Sequence, residues 1–234
     1  MNYIMKDIIL YHGSRGGIEG KIKPCSRPRC DFGQGFYMGE NPQQVKGLVV
    51  EDMEPVFYTL KFKLSEIPEN KILILDKNEW LNTVLACRKK VPEFSSLDIA
   101  KNAIKNLKKY DVVIGPIGDD KMNDAMQAYA DGYLTDKGLI ACLQYVNFGN
   151  QIVALTEFAC SKIEIISQRE IVGKEADDVR EYSRQKRTES RDIVNRIMRK
   201  YRSNCLYLDQ LIASEKQISI EHKKEMEDAE YESR

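Results

Sequence analysis

Apolar positions over the first 166 residues follow two periodicities. Short runs dense in Ile, Val, Leu, Phe and Tyr predict strands over Asp7–Tyr11, Val56–Leu64, Lys71–Leu75, Asp111–Ile114, Gln151–Thr156 and Lys162–Ile166. Apolar residues spaced by three and four predict helices over Pro42–Val50, Asn78–Lys90, Leu97–Lys109, Asp120–Tyr133 and Asp136–Val146. The strands are too many and too irregularly spaced for a βαβ repeat. An α+β domain with a split antiparallel sheet and flanking helices is the expectation. After about Ser167 the texture changes: no glycine follows Gly173, and charge dominates. Ile193, Val194, Ile197, Met198, Tyr201, Cys205, Leu208 and Ile212 recur at helical intervals, which predicts one long amphipathic helix. The division expected is a mixed domain over 1–167 and a charged helical extension over 168–234, partly disordered towards Glu221–Arg234.

Charge changes this picture only locally. The chain of 234 residues carries 36 basic and 36 acidic side chains, so no overall field gathers nucleic acid. Arg180 to Arg202 nevertheless holds nine bases against three acids, and Asp209 to Arg234 eight acids against four bases. No apolar run approaches the roughly 18–20 residues of a membrane span, so no membrane contact is expected. Met1–Asp7 lacks a long apolar core, so no signal peptide is expected and the protein is read as cytoplasmic. Its six cysteines should then be reduced thiols. Cys25 and Cys30 are the one close pair, with no histidine beside them to complete a zinc set, and no metal is expected.

Candidate chemistry sits in three short segments. Tyr11-His12-Gly13-Ser14 places one of only two histidines at a strand end, where side chains meet ligands. Asp31-Phe32-Gly33-Gln34-Gly35-Phe36-Tyr37 brings two glycines and aromatics, and Asn150-Gln151-Ile152-Val153 opens a β-branched strand with an amide. A fourth stretch, Gly115-Pro116-Ile117-Gly118-Asp119-Asp120, lacks the lysine of a P-loop and the third glycine of a dinucleotide fingerprint. Asp119 or Asp120 reads as a helix N-cap. Together the first three segments suggest a pocket for a flat, polar, nucleotide-like molecule.

In order and spacing these segments resemble the ADP-ribosyltransferase superfamily, in its diphtheria-toxin and poly-ADP-ribose-polymerase branch with the His–Tyr–Glu signature. With Asp111-Val112-Val113-Ile114-Gly115-Pro116-Ile117-Gly118, the chain is also similar to a bacterial family of small ADP-ribosyltransferase-like proteins, some found beside antitoxin-like genes. The resemblance covers about residues 7–166. It implies NAD as substrate: His12 bonding a ribose hydroxyl, Gly13 pairing with the nicotinamide carboxamide through its backbone, and Ser14 near the adenosine-side ribose. It further implies Tyr37 against the nicotinamide ring, Gly33 and Gly35 admitting the backbone close to the ligand, and Gln151 at the ribose. Cleavage of the nicotinamide–ribose bond resembles glycoside cleavage in its oxocarbenium-like state, which rewards a fixed pose.

Gln151 departs from the branch, which writes a glutamate there. An amide still accepts a hydrogen bond but carries no charge, so single ADP-ribose transfer or none is expected, without chain elongation. Glu157 is a second-ranked substitute carboxylate, since strand alternation would face it away from Gln151 unless the strand ends first. Val45 and Leu48 stand where the polymerase-like enzymes present a serine and a second stacking tyrosine. The resemblance therefore implies an NAD-dependent mono-ADP-ribosyltransferase modifying a protein or nucleic acid, as a toxin or defence effector. Its expected partners are a macromolecular acceptor and an antitoxin, or a second copy bound through the C-terminal helices. The alternatives are a module that binds NAD or ADP-ribose, or docks a partner, without catalysis, and an NAD glycohydrolase.

Overall fold

The structure, a computed structural model, describes residues 6–89, 91–117, 123–145, 149–201 and 205–215. The chain runs β1 (Ile8–Arg15), β2 (Phe36–Gly39), α1 (Pro42–Val49), β3 (Pro55–Phe62), β4 (Ile72–Ile74), α2 (Lys77–Arg88), α3 (Pro92–Ser95), α4 (Asp98–Leu107) and β5 (Val112–Pro116). It continues with α5 (Asn123–Ala130), α6 (Asp136–Tyr145), β6 (Asn150–Ala154), α7 (Glu157–Cys160), β7 (Ile163–Glu170) and α8 (Gly173–Lys200), and a last helix covers 208–215. Local chemistry sets several starts. Asn41 caps α1 by accepting from the amides of Gln43 and Gln44 ahead of Pro42, and Asp76 with Glu79 forms a reciprocal capping box on α2.

The α+β expectation holds, in one seven-stranded sheet of order β4-β5-β6-β2-β1-β3-β7. The sheet is mixed rather than wholly antiparallel, because β4 and β5 run parallel. Their connection passes through α2, α3 and α4, the long crossover that parallel neighbours require. Strand alternation gives the sheet two distinct faces. Leu10, Phe36, Met38, Tyr58, Leu60, Phe62, Val112, Ile114 and Ile152 share one buried cluster on one face. On the other face, Val113 and Val153 join Phe32, Trp80, Tyr129 and the helices in a second cluster. Phe57 joins Val45, Val49 and Val179 in a third.

Several elements depart from the periodicity reading: β7 runs four residues past Ile166, the four-residue helices α3 and α7 were not predicted, and β1, β2 and the long C-terminal helix differ as follows. β1 continues to Arg15 because its whole length pairs with β3, ending at Arg15 opposite Pro55, and this ladder overrides the glycine at 13. β2, four residues bracketed by glycines, carries too little pattern to register by periodicity. The helix predicted through Ile212 stops at Lys200. There Thr135 Oγ1 donates to the Tyr201 carbonyl at 3.0 Å, the Leu206 amide donates to Asp136 Oδ1 at 3.1 Å, and the Asp136 amide donates to the Leu206 carbonyl. The chain is thereby pinned across the start of α6 before helix resumes. Asp119, Asp120 and the segment Glu221–Arg234 lie outside the described residues.

The apolar stripe of the charged region covers the sheet domain itself. Val194, Ile197 and Leu208 are buried with Trp80 and Tyr129, while Ala176 and Val179 pack against Val45 and Val49 of α1. Some of its basic residues pair along the helix, as Arg184 does with Glu181 and Lys186 with Glu189, while Arg180 reaches Glu51 and the Val50 carbonyl beside α1. A truncation at a buried stripe residue should therefore destabilise the whole fold. Ile197→Ala is expected to lower the unfolding free energy by about 2–4 kcal/mol in urea titration, in a single transition. Loss of less than about 0.5 kcal/mol would instead mark α8 as an independent appendage.

Candidate functional site

The sheet is weakest between β1 and β2. These strands share one paired position, Tyr11 opposite Gly39, whereas β1 pairs with β3 over its full eight residues. The two strands therefore diverge, and the three sequence segments meet around the divergence. In register across the sheet, Tyr11, Gly39, Gln151 and Gly115 form one row, with Tyr37 opposite Val153 one step along. Side chains in that row, together with Gly13 and Tyr37, face the helices.

His12 faces the other way. Its ring stacks on Phe36 at 4.4 Å and lies 6.1 Å from Tyr58, both members of the opposite cluster. Its Nδ1 nonetheless reaches across the divergence to the Tyr37 carbonyl at 2.7 Å. A carbonyl oxygen only accepts, so Nδ1 carries the proton and Nε2 presents a lone pair. Burial holds the imidazole below its ordinary pKa, with the bond to Tyr37 acting in the opposite sense, and the ring is neutral. The predicted trio is thus brought to one junction but not to one face: Tyr37 and Gln151 lie on the helix side, and His12 is joined to them through backbone.

Tyr37 points inward and supports the loop that precedes it. Its hydroxyl donates to the Gly33 carbonyl at 2.8 Å and accepts from the Phe32 amide at 2.9 Å. Burial drives its pKa far upward, so the phenol stays protonated. Gly33 sits at φ +76°, which only glycine adopts at low cost. Gly35 has no space for a side chain, since a Cβ would come within 2.5 Å of Val153 and 3.1 Å of the Ala154 carbonyl. Gly35 therefore serves the fit of this loop against β6, and Gly33 the turn within it. Ser14 Oγ donates to the Gly17 carbonyl at 2.8 Å and shapes the turn after β1.

Gln151 lies within a network that sequence spacing did not announce. Its Nε2 donates to Asp31 Oδ2 at 2.8 Å and to the Pro116 carbonyl at 3.0 Å. Asp31 is 6% exposed and pairs through Oδ1 with Arg88 Nε at 2.5 Å. The Pro116 carbonyl also accepts from Trp80 Nε1 at 2.9 Å. Nearby, burial and the Asp31 carboxylate push the Cys87 thiol up to about 12, so it is no nucleophile at neutral pH. The only signal for Asp31 was its place at the head of the glycine segment; nothing in the chain joins 31, 88 and 151.

A recess lies above Gly13, and α1 fills it. A Cβ at Gly13 would meet Val49 Cγ2 at 2.9 Å, and one at Gly39 would meet Val45 Cγ2 at 2.7 Å. Val45 is the residue that matters here, because Leu48 is exposed. Glu157 is not a substitute carboxylate: β6 ends at Ala154, and Glu157 opens α7 beyond the end of that strand opposite Gln151, where Thr156 caps the helix. Among the described residues no helix is long and apolar enough to cross a membrane, and no cluster of His, Cys, Asp and Glu is arranged to hold a metal ion.

Two measurements check this geometry. Arg88→Ala removes the guanidinium paired with the buried Asp31 carboxylate and should cost about 3–5 kcal/mol in denaturant unfolding. For His12 the folded pKa is depressed, so on acidification below about 6.5 the unfolded chain takes up the proton first and stability is lost. Between pH 7 and 5 the wild type should lose up to about 1.4 kcal/mol per pH unit relative to His12→Asn, read from melting curves at each pH. Parallel curves for the two would mean that the ring is solvated and titrates normally.

Residues 8–165, more than half of the chain, match the family described as "Protein of unknown function (DUF3990)". No curated protein and no solved structure matches.

Proposed function

We propose that this chain, which belongs to the DUF3990 family, is an NAD-dependent mono-ADP-ribosyltransferase acting on a macromolecule. The observation that carries the reading is the opening of the sheet at one strand pair, with Gly13, Gly39, Tyr37 and Gln151 on the helix side and His12 bracing it. Glycine backbone where the two strands part would let a flat amide-bearing ring approach closely once α1 moves aside. What further supports the reading is that the three motifs behind the ADP-ribosyltransferase resemblance lie in one mixed sheet, within the span of the family match. Nicotinamide would leave with the bonding electron pair on its ring nitrogen, the ribose carbon would become cationic, and a nucleophile of the target would attack it and lose its proton to water. The protein's part is to hold the pose. His12 does so by fixing β2 against β1, Tyr37 by its ring and by the loop it anchors, and Gln151 by accepting from a ribose hydroxyl.

A second reading, binding without catalysis of ADP-ribose, which lacks the pyridine ring, is favoured by one specific contact. Val45 and Val49 rest directly on Gly39 and Gly13, so α1 must shift before a pyridine ring can lie there. The toxin or defence setting, with a partner restraining the enzyme in the cytoplasm, belongs to the first reading.

Labelled NAD mixed with purified protein and lysate should label a protein or nucleic acid. His12→Ala and Tyr37→Ala should reduce that labelling on the order of 100-fold through loss of pose. Val49→Ala, which opens the recess, should raise NAD affinity in calorimetry. ADP-ribose binding by the wild type with neither labelling nor nicotinamide release would decide for the non-catalytic reading, and nicotinamide release alone for NAD hydrolysis.

A further inference from the structure

We infer that Asp31 is the positioning carboxylate of this site, acting through Gln151: it locks the amide so that Oε1 is the atom offered to a ligand hydroxyl. The identity of that ligand rests on the ADP-ribosyl reading; the locking does not. Gln151 Nε2 faces a carboxylate oxygen at 2.8 Å and a carbonyl oxygen at 3.0 Å. Both groups only accept, so nitrogen must be the atom pointing at them, and both amide hydrogens are committed. Oε1 has no hydrogen-bond partner among the described residues. Turning the amide over would set its oxygen against two acceptors at once, so one orientation prevails.

The lock is itself held from three directions. Arg88 of α2 donates to the second carboxylate oxygen of Asp31, and Trp80 of the same helix donates to the Pro116 carbonyl at the end of β5. The Tyr37 hydroxyl accepts from the amide of Phe32, the residue after Asp31, and so steadies the backbone that carries it. A glutamate at 151 would face the Asp31 carboxylate and the Pro116 carbonyl with no donor among them. The amide is therefore the side chain this surrounding requires, and not a glutamate that has lost its charge. The negative charge of the site stands one hydrogen bond behind the group that meets the ligand.

Three full-length variants test this, by melting without ligand and by calorimetric titration with NAD at pH 7. Gln151→Glu should melt lower than wild type and bind NAD at least about tenfold more weakly. Asp31→Asn alone should also lose affinity, because one amide cannot serve both the Arg88 donor and the Gln151 donor. In the double variant Asp31→Asn, Gln151→Glu, the oxygen at 31 accepts from Arg88 and its NH2 donates to the new carboxylate. Part of the lost NAD affinity should return, to above that of Asp31→Asn at a comparable melting temperature, which a merely structural role would not produce. The Pro116 carbonyl, still facing an oxygen, keeps the recovery incomplete. Gln151→Glu that melts like wild type and binds or labels better, or a double variant no better than the worse single, would overturn the inference. If wild type shows no NAD binding while the melting pattern of loss and rescue appears, the lock stands and the ADP-ribosyl reading falls. The converse result, binding by wild type with a neutral Gln151→Glu, leaves the reading and removes the lock.

Discussion

Between β1 and β2 the backbone ladder supplies one residue pair where neighbouring strands supply four to eight, and the rest of the molecule is arranged to hold that junction. Each face is closed by a different device. On one side the His12 ring lies on Phe36 and its Nδ1 proton replaces a missing ladder bond to the Tyr37 carbonyl. On the other, the valines of α1 press onto Gly13 and Gly39, whose missing side chains let the helix seat directly on the strands. A sheet opened at its middle would expose backbone donors and acceptors to water or to a ligand. Here they lie under one ring and one helix turn.

Much of this was legible in the chain because the information was local. Six strands and five helices announce themselves by period, and an asparagine before Pro42 or an aspartate three before Glu79 marks a helix start. His12 and Tyr37 stood out because a scarce imidazole and an aromatic flanked by glycines are chemically conspicuous. Strand alternation could have placed His12 and Tyr37 on opposite faces, but only once the register was known, and register is set by partners remote in sequence. The Asp31–Arg88–Gln151 network is illegible for the same reason. Its members come from a loop, a helix end and a late strand, and each is unremarkable in its own neighbourhood. The break after α8 was hidden because the apolar stripe continues in phase through it, while the cause, Thr135 and Asp136 holding Tyr201 and Leu206, lies on another helix.

The charged C-terminal region shows why composition misleads about packing. Its arginines and lysines suggest a solvated appendage, yet Val179, Val194 and Ile197 are among the buried residues of the core. A helix needs only one buried residue per turn to belong to a domain, and its outer face is then free to be as charged as solubility requires.

The same helix holds α1 down on Gly13 and Gly39. Lys46 of α1 pairs with Glu175 at 2.8 Å, Glu175 in turn meets Arg169 of β7, and Arg180 donates to the Val50 carbonyl at 3.3 Å. Hydrogen bonds from Arg169 and then Lys46 hold the Glu175 carboxyl down to about 2, so these pairs persist well below neutral pH. The pairs of the part-exposed Arg169 and Arg180 contribute little, of order 0–1 kcal/mol each, and among these groups only Lys46 is buried. The larger hold on α1 is apolar, from Ala176 and Val179 of α8 against Val45 and Val49. A ring inserted above Gly13 would have to displace that contact. Gly39, on which Val45 rests, is also the ladder partner of Gln151, and α8 backs the helix that presses on it.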